Sequence, residues 1–228
     1  VASGLEDTLI PITVDVAELD TDGSESLSVT LSNIPQGAVI LRNGEAVAVN
    51  EDGTVTLAEG ELDGLAVLPP ANFSGAFDIA VSATTTDEGD VSEAALGSIS
   101  VDVAGVADGA SLNFETAAGD EDTAIALPIT IDKADESETA EITLSGIPQG
   151  AVLANANGPI SVGEDGTVVL SEADLDGLQI TPPADSDVDM PIGVSVVTTD
   201  GDSTSEPTTG TITVGVDGVA DVPTLDVG

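Results

Sequence analysis

The sequence predicts an all-β protein built as two tandem β-sandwiches. Three observations carry that expectation. Apolar residues recur with a period of two: Leu27, Val29 and Leu31 alternate with Ser28 and Thr30, and Ile99, Val101 and Val103 alternate with Ser100 and Asp102. A strand of this kind has one buried and one wet face, as in an antiparallel sandwich. Turn dipeptides such as Asn43-Gly44, Asp52-Gly53 and Asp200-Gly201 separate the runs. The whole pattern then occurs a second time, about 113 residues on, as Leu31 to Leu144 shows.

Taken in order, strands are expected near residues 8–16, 26–32, 38–42, 54–57, 65–68, 76–85 and 97–104, lettered A to G. The second copy keeps the register in Ile142 and Leu144, in Met190, Ile192, Val194 and Val196, and in Ile212, Val214 and Val216. Leu31–Val39 matches Leu144–Val152, Glu51–Val55 matches Glu164–Val168, and Gly105–Asp108 matches Gly218–Asp221. The copies are expected to span 1–107, without its opening strand, and 108–221. Residues 222–228 read as the start of a third, because Thr224-Leu225-Asp226-Val227 follows Gly-Val-Ala-Asp as Ser111-Leu112-Asn113-Phe114 does. Seven alternating strands leave the termini of a copy at opposite ends, so that copies join as a rod gaining about 40 Å each.

Composition restricts the partners. The chain has 43 acidic residues against 2 basic ones, a formal net charge of −41. Such charge opposes compaction unless it is neutralised, and it repels nucleic acid and anionic lipid surfaces. No apolar run reaches membrane-spanning length, so direct membrane insertion is not expected. With no Cys there are no disulfides, which leaves metal as the substitute staple. The chain has no His, Cys or Tyr, and Arg42 and Lys133 stand alone. No enzyme is expected.

Calcium takes six to eight oxygen ligands, often from carboxylates. The loop Asp20-Thr21-Asp22-Gly23-Ser24-Glu25 offers Asp20, Asp22 and Glu25 around a Gly turn. A plain polar loop is the other reading. Strand parity puts this A–B loop, with the C–D and E–F loops, at the outgoing end of a copy. It puts the N-terminal segment and the F–G loop at the incoming end. The seam set is therefore Asp108 of the linker with Asp120, Glu121, Asp122, Asp200 and Asp202. The matching incoming set on the first copy is Glu6, Asp7, Asp87 and Asp90. A solvated acidic surface is the alternative for any one of them. Glu51-Asp52-Gly53 and Glu164-Asp165-Gly166 read as tight turns.

Asp20–Leu27, Ile34-Pro35-Gln36-Gly37-Ala38, Pro69-Pro70-Ala71-Asn72-Phe73-Ser74-Gly75 and the passage from Gly-Val-Ala-Asp to Glu-Asp-Thr resemble the extender repeats of giant bacterial RTX adhesins. The resemblance covers essentially the whole chain. It implies immunoglobulin-like or cadherin-like Greek-key sandwiches and Ca²⁺ at and near the junctions. It also implies a monomeric rod of neighbouring repeats on the bacterial cell surface, holding an adhesive region away from the cell. The second copy departs from the pattern. Lys133–Glu138 stands in place of the Asp20–Glu25 loop, and Asp185-Ser186-Asp187-Val188-Asp189 in place of Asn72–Ala76. The resemblance accordingly carries calcium to Asp20, Asp22 and Glu25 of the first A–B loop and does not extend it to the second. The alternative function is direct adhesion to glycan, protein or ice. The chain has no Trp or Tyr platform, and no regular flat array of Thr is visible in the sequence.

Overall fold

The computed structural model describes residues 1–16, 25–50, 52–223 and 225. Asp20, Asp22 and Glu51 lie outside the described residues, as do Thr224 and 226–228 of the expected third copy. The chain divides into two compact units, Val1–Val106 and Ala107–Gly228.

The first unit carries β1 (Ala2–Leu5), β2 (Ile10–Pro11), β3 (Ser26–Ser32), β4 (Val39–Arg42), β5 (Glu45–Ala46), β6 (Val55–Ala58), β7 (Leu65–Leu68), β8 (Gly75–Asp87), β9 (Asp90–Val91) and β10 (Ala95–Ala104). One sheet has the order β1-β10-β8-β3-β6, with β9 folded back on β8, and the other has the order β2-β7-β4-β5. Val29, Leu31, Ile79 and Val101 of the first sheet are wholly buried against Ile10, Ile40 and Val67 of the second. Each such side chain contributes about 1.5–3 kcal/mol by leaving water, and together they define the inward face.

The second unit repeats the plan. It carries β11 (Ser111–Phe114), β12 (Ala117–Asp120), β13 (Ile125–Ala126), β14 (Ile129–Asp132), β15 (Thr139–Ser145), β16 (Val152–Asn155), β17 (Gly158–Ile160), β18 (Val168–Ser171), β19 (Gln179–Thr181), β20 (Met190–Asp200), β21 (Ser203–Thr204) and β22 (Thr208–Asp217). Its sheets run β12-β22-β20-β15-β18, with β21 on β20, and β13-β19-β16-β17; β11 pairs with β14. Ile142, Leu144, Ile192 and Val214 pack against Leu153 and Ile180. Ile142 faces Val196 as Val29 faces Ala83, so the repeat extends to the register of strand pairing.

Several short strands were not expected, and β1, β12 and β5 bear on where the loops lie. β1 pairs in parallel with β10, from Ala2↔Val101 to Leu5↔Ala104, and β12 pairs in the same way with β22. Both therefore run toward the far end of their unit, the end where its last long strand finishes. The chain then folds back at once into β2, or β13, antiparallel to β7 or β19. Gly4 and Gly119 permit that reversal, since a Cβ there would lie 2.7 Å from Ile10 Cγ1 and 2.9 Å from Ile125 Cγ1. The direction of the first three expected strands is thereby inverted. β5 restores the order through the Asn43-Gly44 turn, whose φ values of 52° and 85° match a two-residue hairpin.

The expected grouping of loops needs correction in consequence. Glu6 and Asp7 lie at the far end of the first unit, not with Asp87 and Asp90 at the near end. Asp120, Glu121 and Asp122 lie at the far end of the second unit, opposite Asp200 and Asp202. The A–B loop, ending in Glu25, leads into Ser26, which pairs with Thr86 beside Asp87. Glu25 and the F–G hairpin share the near end. The cause is the extra strand β5 between the third and fourth expected strands, which adds one reversal between these loops and so shifts their parity by one.

Candidate metal centre

At the far ends, the turn Glu6-Asp7-Thr8 is reproduced as Glu121-Asp122-Thr123 down to single hydrogen bonds. Glu6 N donates to Ala104 O and Glu121 N to Asp217 O, both at 2.9 Å. Thr8 Oγ1 donates to Leu5 O and Thr123 Oγ1 to Asp120 O, both at 2.7 Å. Asp7 and Asp122 take positive φ values of 53° and 58°, which a short polar side chain tolerates better than most. Asp7 Oδ1 accepts from Asn72 N at 3.2 Å, and Asp122 Oδ1 from Asp185 N at 3.1 Å. Glu6 Oε1 accepts from Val106 N, and Glu121 Oε1 from Val219 N at 2.6 Å. Each unit thus holds the chain that leaves it with a buried or half-buried Glu.

In the second unit this turn is part of an acidic group. Asp122, Asp185 and Asp221 each place a carboxylate oxygen within 4.8 Å of the other two, and all three are exposed. Hard oxygen donors in a loose, open arrangement suit Ca²⁺. Without a cation, each pair at 4.8 Å repels by about 0.9 kcal/mol at the dielectric constant of water. Asp122 is among the residues expected from sequence; Asp185 and Asp221 are not. Asp221 was legible as the copy of Asp108, and Asp185 as the copy of Asn72.

At the near end of the second unit, Asp135 and Asp200 bring carboxylate oxygens within 4.8 Å. Glu138 is 2% exposed and Asp200 8%. Glu138 Oε1 accepts from Asp108 N, while Thr198 Oγ1 donates to Asp108 O and Ser203 Oγ accepts from Ala107 N. Glu138 Oε2 and Asp200 Oδ2 are buried with no hydrogen-bond partner. Unpaired buried carboxylate oxygen is costly, and a divalent ion is a partner of the right charge and hardness. Hydrogen bonds from the Ser137 hydroxyl and N–H, with the charge of Lys133 as a smaller cause, hold the Asp135 carboxyl below its usual range.

The second A–B loop keeps part of the carboxylate pattern of the first. Register carries Asp22 to Asp135, Ser24 to Ser137 and Glu25 to Glu138; the change of sign is confined to Asp20, replaced by Lys133. In the first unit the corresponding near end has Glu25, with Asp87 opposite Asp90 across the β8–β9 turn. Like charges directly opposite on paired strands destabilise them. Asp108 contributes its backbone N–H and carbonyl at the near end of the second unit. Asp120 and Asp202 are exposed and join neither acidic group among the described residues.

The Asp-Gly turns behave as read. Thr54 Oγ1 donates to Asp52 Oδ1 and Thr167 Oγ1 to Asp165 Oδ1, both at 2.7 Å, and these bonds hold both carboxyls below their usual range. One further sequence reading changes. β22 points Thr209, Thr211 and Thr213 outward, and Ser195 and Thr143 stand in line with Thr209 across β20 and β15. A row of hydroxyls that is not contiguous in sequence does exist on this sheet.

Neither a family model nor a curated protein matches the sequence. Among solved structures, repeats EC1-2 of human mucin-like protocadherin are similar at 14% identity, covering 95% of this chain and 94% of that one with a TM-score of 0.46. Repeats EC22-24 of mouse cadherin-23 are similar at 17% identity, covering 95% and 62%, with a TM-score of 0.43. A segment of two fibronectin type III domains from chicken tenascin gives 12% identity, 92% and 95% coverage and a TM-score of 0.35. The two β-sandwiches of this chain are established by its own sheet order and core packing.

Proposed function

We propose that the chain is a calcium-rigidified extracellular spacer of a large bacterial surface adhesin. It acts as a stiff run of repeats that holds a distal binding region away from the cell. The observation that carries this reading is the group Asp122, Asp185 and Asp221. Asp122 belongs to the first turn of its repeat, Asp185 to the loop before β20, and Asp221 to the segment that leaves the repeat. An ion held by all three ties that leaving segment to the body it comes from. In the first repeat Asp7 accepts from Asn72 N as Asp122 accepts from Asp185 N in the second, so the turn that carries the first ligand is built alike in both. Glu6 and Glu121 supplement it by capturing the amides of Val106 and Val219.

The net charge of −41 supports the same conclusion, because 43 acidic side chains face 2 basic ones, Arg42 and Lys133, which pair with Glu61 and Glu172. The remaining carboxylates need counter-ions from solution. The resemblance to extender repeats of RTX adhesins supports the bacterial cell surface as the setting and neighbouring repeats as the partners. Extracellular modules bind calcium at about 10⁻⁴–10⁻³ M, so external fluid supplies the ion. The test is small-angle scattering and calorimetry on the 228-residue chain, in millimolar calcium and in chelator. Removing calcium is expected to shorten the maximum dimension and lower the melting temperature. Identical profiles in both conditions would end the proposal.

Direct adhesion is the second reading, favoured by the outward row Thr209, Thr211 and Thr213 with Ser195 and Thr143. It requires retention of the chain on a glycan, protein or ice surface, lost when these hydroxyls are replaced by valine or alanine.

A further inference from the structure

We propose that Lys133 is a tethered counter-ion, which takes the place of one calcium ion at the near end of the second repeat and keeps the loop Lys133–Glu138 folded when calcium is low. This rests on the calcium reading above and adds a graded response to it: the near end of the second repeat would be less calcium-dependent than that of the first.

Lys133 stands in register with Asp20, so one position carries opposite charge in the two repeats. Of the residues that follow it, Asp135, Ser137 and Glu138 match Asp22, Ser24 and Glu25, while Ala134 and Glu136 replace Thr21 and Gly23. The ammonium group is not a free surface charge. The Lys133 side chain is 18% exposed, and Nζ lies 3.1 Å from Glu172 Oε1. Nζ also donates to the backbone carbonyl of Glu138 at 2.5 Å, closing the loop across five residues. Glu138 is the residue whose Oε1 receives the Asp108 amide and whose Oε2 is buried and unpartnered. Lys133 thereby fixes the backbone on which that carboxylate is mounted. Its charge also reaches Asp135, where it favours the ionised form.

A covalently attached ammonium has no concentration dependence, whereas a calcium ion is lost by mass action as its concentration falls below Kd. Replacing Asp by Lys at one position removes one carboxylate ligand and adds one positive charge. At that position the charge becomes more positive by two, which is the charge of the ion displaced; over the whole loop the change is one, because Glu136 stands where the first repeat has Gly23. The first repeat, with Asp20, has no such substitute in its sequence.

The test compares wild type with Lys133→Met, Lys133→Arg and Lys133→Asp in the 228-residue chain. It reads calcium stoichiometry by titration calorimetry and amide exchange over 133–139 by mass spectrometry. In chelator, Lys133→Met is expected to exchange this segment at least about tenfold faster than wild type, as for loss of about 1.4 kcal/mol of local protection. Lys133→Arg, which keeps the charge, is expected to stay near wild type. Lys133→Asp is expected to bind one calcium ion more than wild type and to regain slow exchange only when calcium is added. The inference is overturned if Lys133→Met exchanges like wild type in chelator, or if Lys133→Asp gains no ion. If no variant, nor wild type, binds calcium at all, the spacer reading fails, and Lys133 is reduced to an ordinary ion pair.

Discussion

Replacing Asp122 by asparagine should change the stability of the second repeat in opposite directions with and without calcium. Asparagine is nearly isosteric, and its side-chain oxygen can still accept from Asp185 N, the bond that Asp122 Oδ1 makes at 3.1 Å. It also tolerates the positive φ of 58° at this position. The substitution therefore removes charge and little else. In chelator, it relieves two repulsions across distances of up to 4.8 Å, each about 0.9 kcal/mol in water. Screening at physiological salt roughly halves these, leaving a gain of about 1 kcal/mol. For a domain of this size that raises the melting temperature by about 4 °C. In calcium at ten to a hundred times Kd, the bound ion contributes about 1.4–2.7 kcal/mol to wild type. Most of that is lost with one of three carboxylates gone, so the variant should melt lower than wild type. Calorimetry in the two buffers reads both signs. A variant that is less stable than wild type in chelator, or more stable in calcium, would refute the electrostatic account of this group.

Glu121→Ala should free the Val219 amide, now 2.6 Å from Glu121 Oε1, and speed its hydrogen exchange about tenfold, while Glu121→Gln retains an acceptor and should exchange far more slowly than the alanine variant. Gly119→Ala places a methyl 2.9 Å from Ile125 Cγ1 and should cost about 1–3 kcal/mol in urea unfolding through overpacking at the reversal into β13. Thr167→Val removes the hydroxyl that chiefly lowers the Asp165 pKa, so NMR titration should find that pKa moved up toward the ordinary carboxylate value. Because the folded-state pKa of Asp165 lies below its unfolded value, its contribution is complete above the unfolded value and is lost as pH falls through the folded one; Thr167→Val should narrow that acid window from below.

Most of the sandwich was legible in the sequence, since a strand with one wet face writes its own alternation. Leu27-Val29-Leu31 and Met190-Ile192-Val194-Val196 mark β3 and β20, and the doubled blocks mark the repeat. β1 and β12 were not legible, because Ala2-Ser3-Gly4-Leu5 and Ala117-Ala118-Gly119-Asp120 carry no alternation and little strand propensity. Their place is fixed by parallel pairing to a strand about a hundred residues later, which no local pattern encodes. The short hairpin strand β5 was not legible either, and missing its reversal inverted the parity of the first loops, and with it the grouping of Glu6 and Asp7 with Asp87 and Asp90.

The sequence alone determined the charge that must be neutralised, the residue types able to hold a hard cation, and the duplication that presents them twice. Side-chain identity and local periodicity suffice for each of these. Only the tertiary structure decided which carboxylates meet. Asp122, Asp185 and Asp221 lie far apart along the chain, and a single short strand running parallel to the last one brings the first of them to the end where the other two already lie.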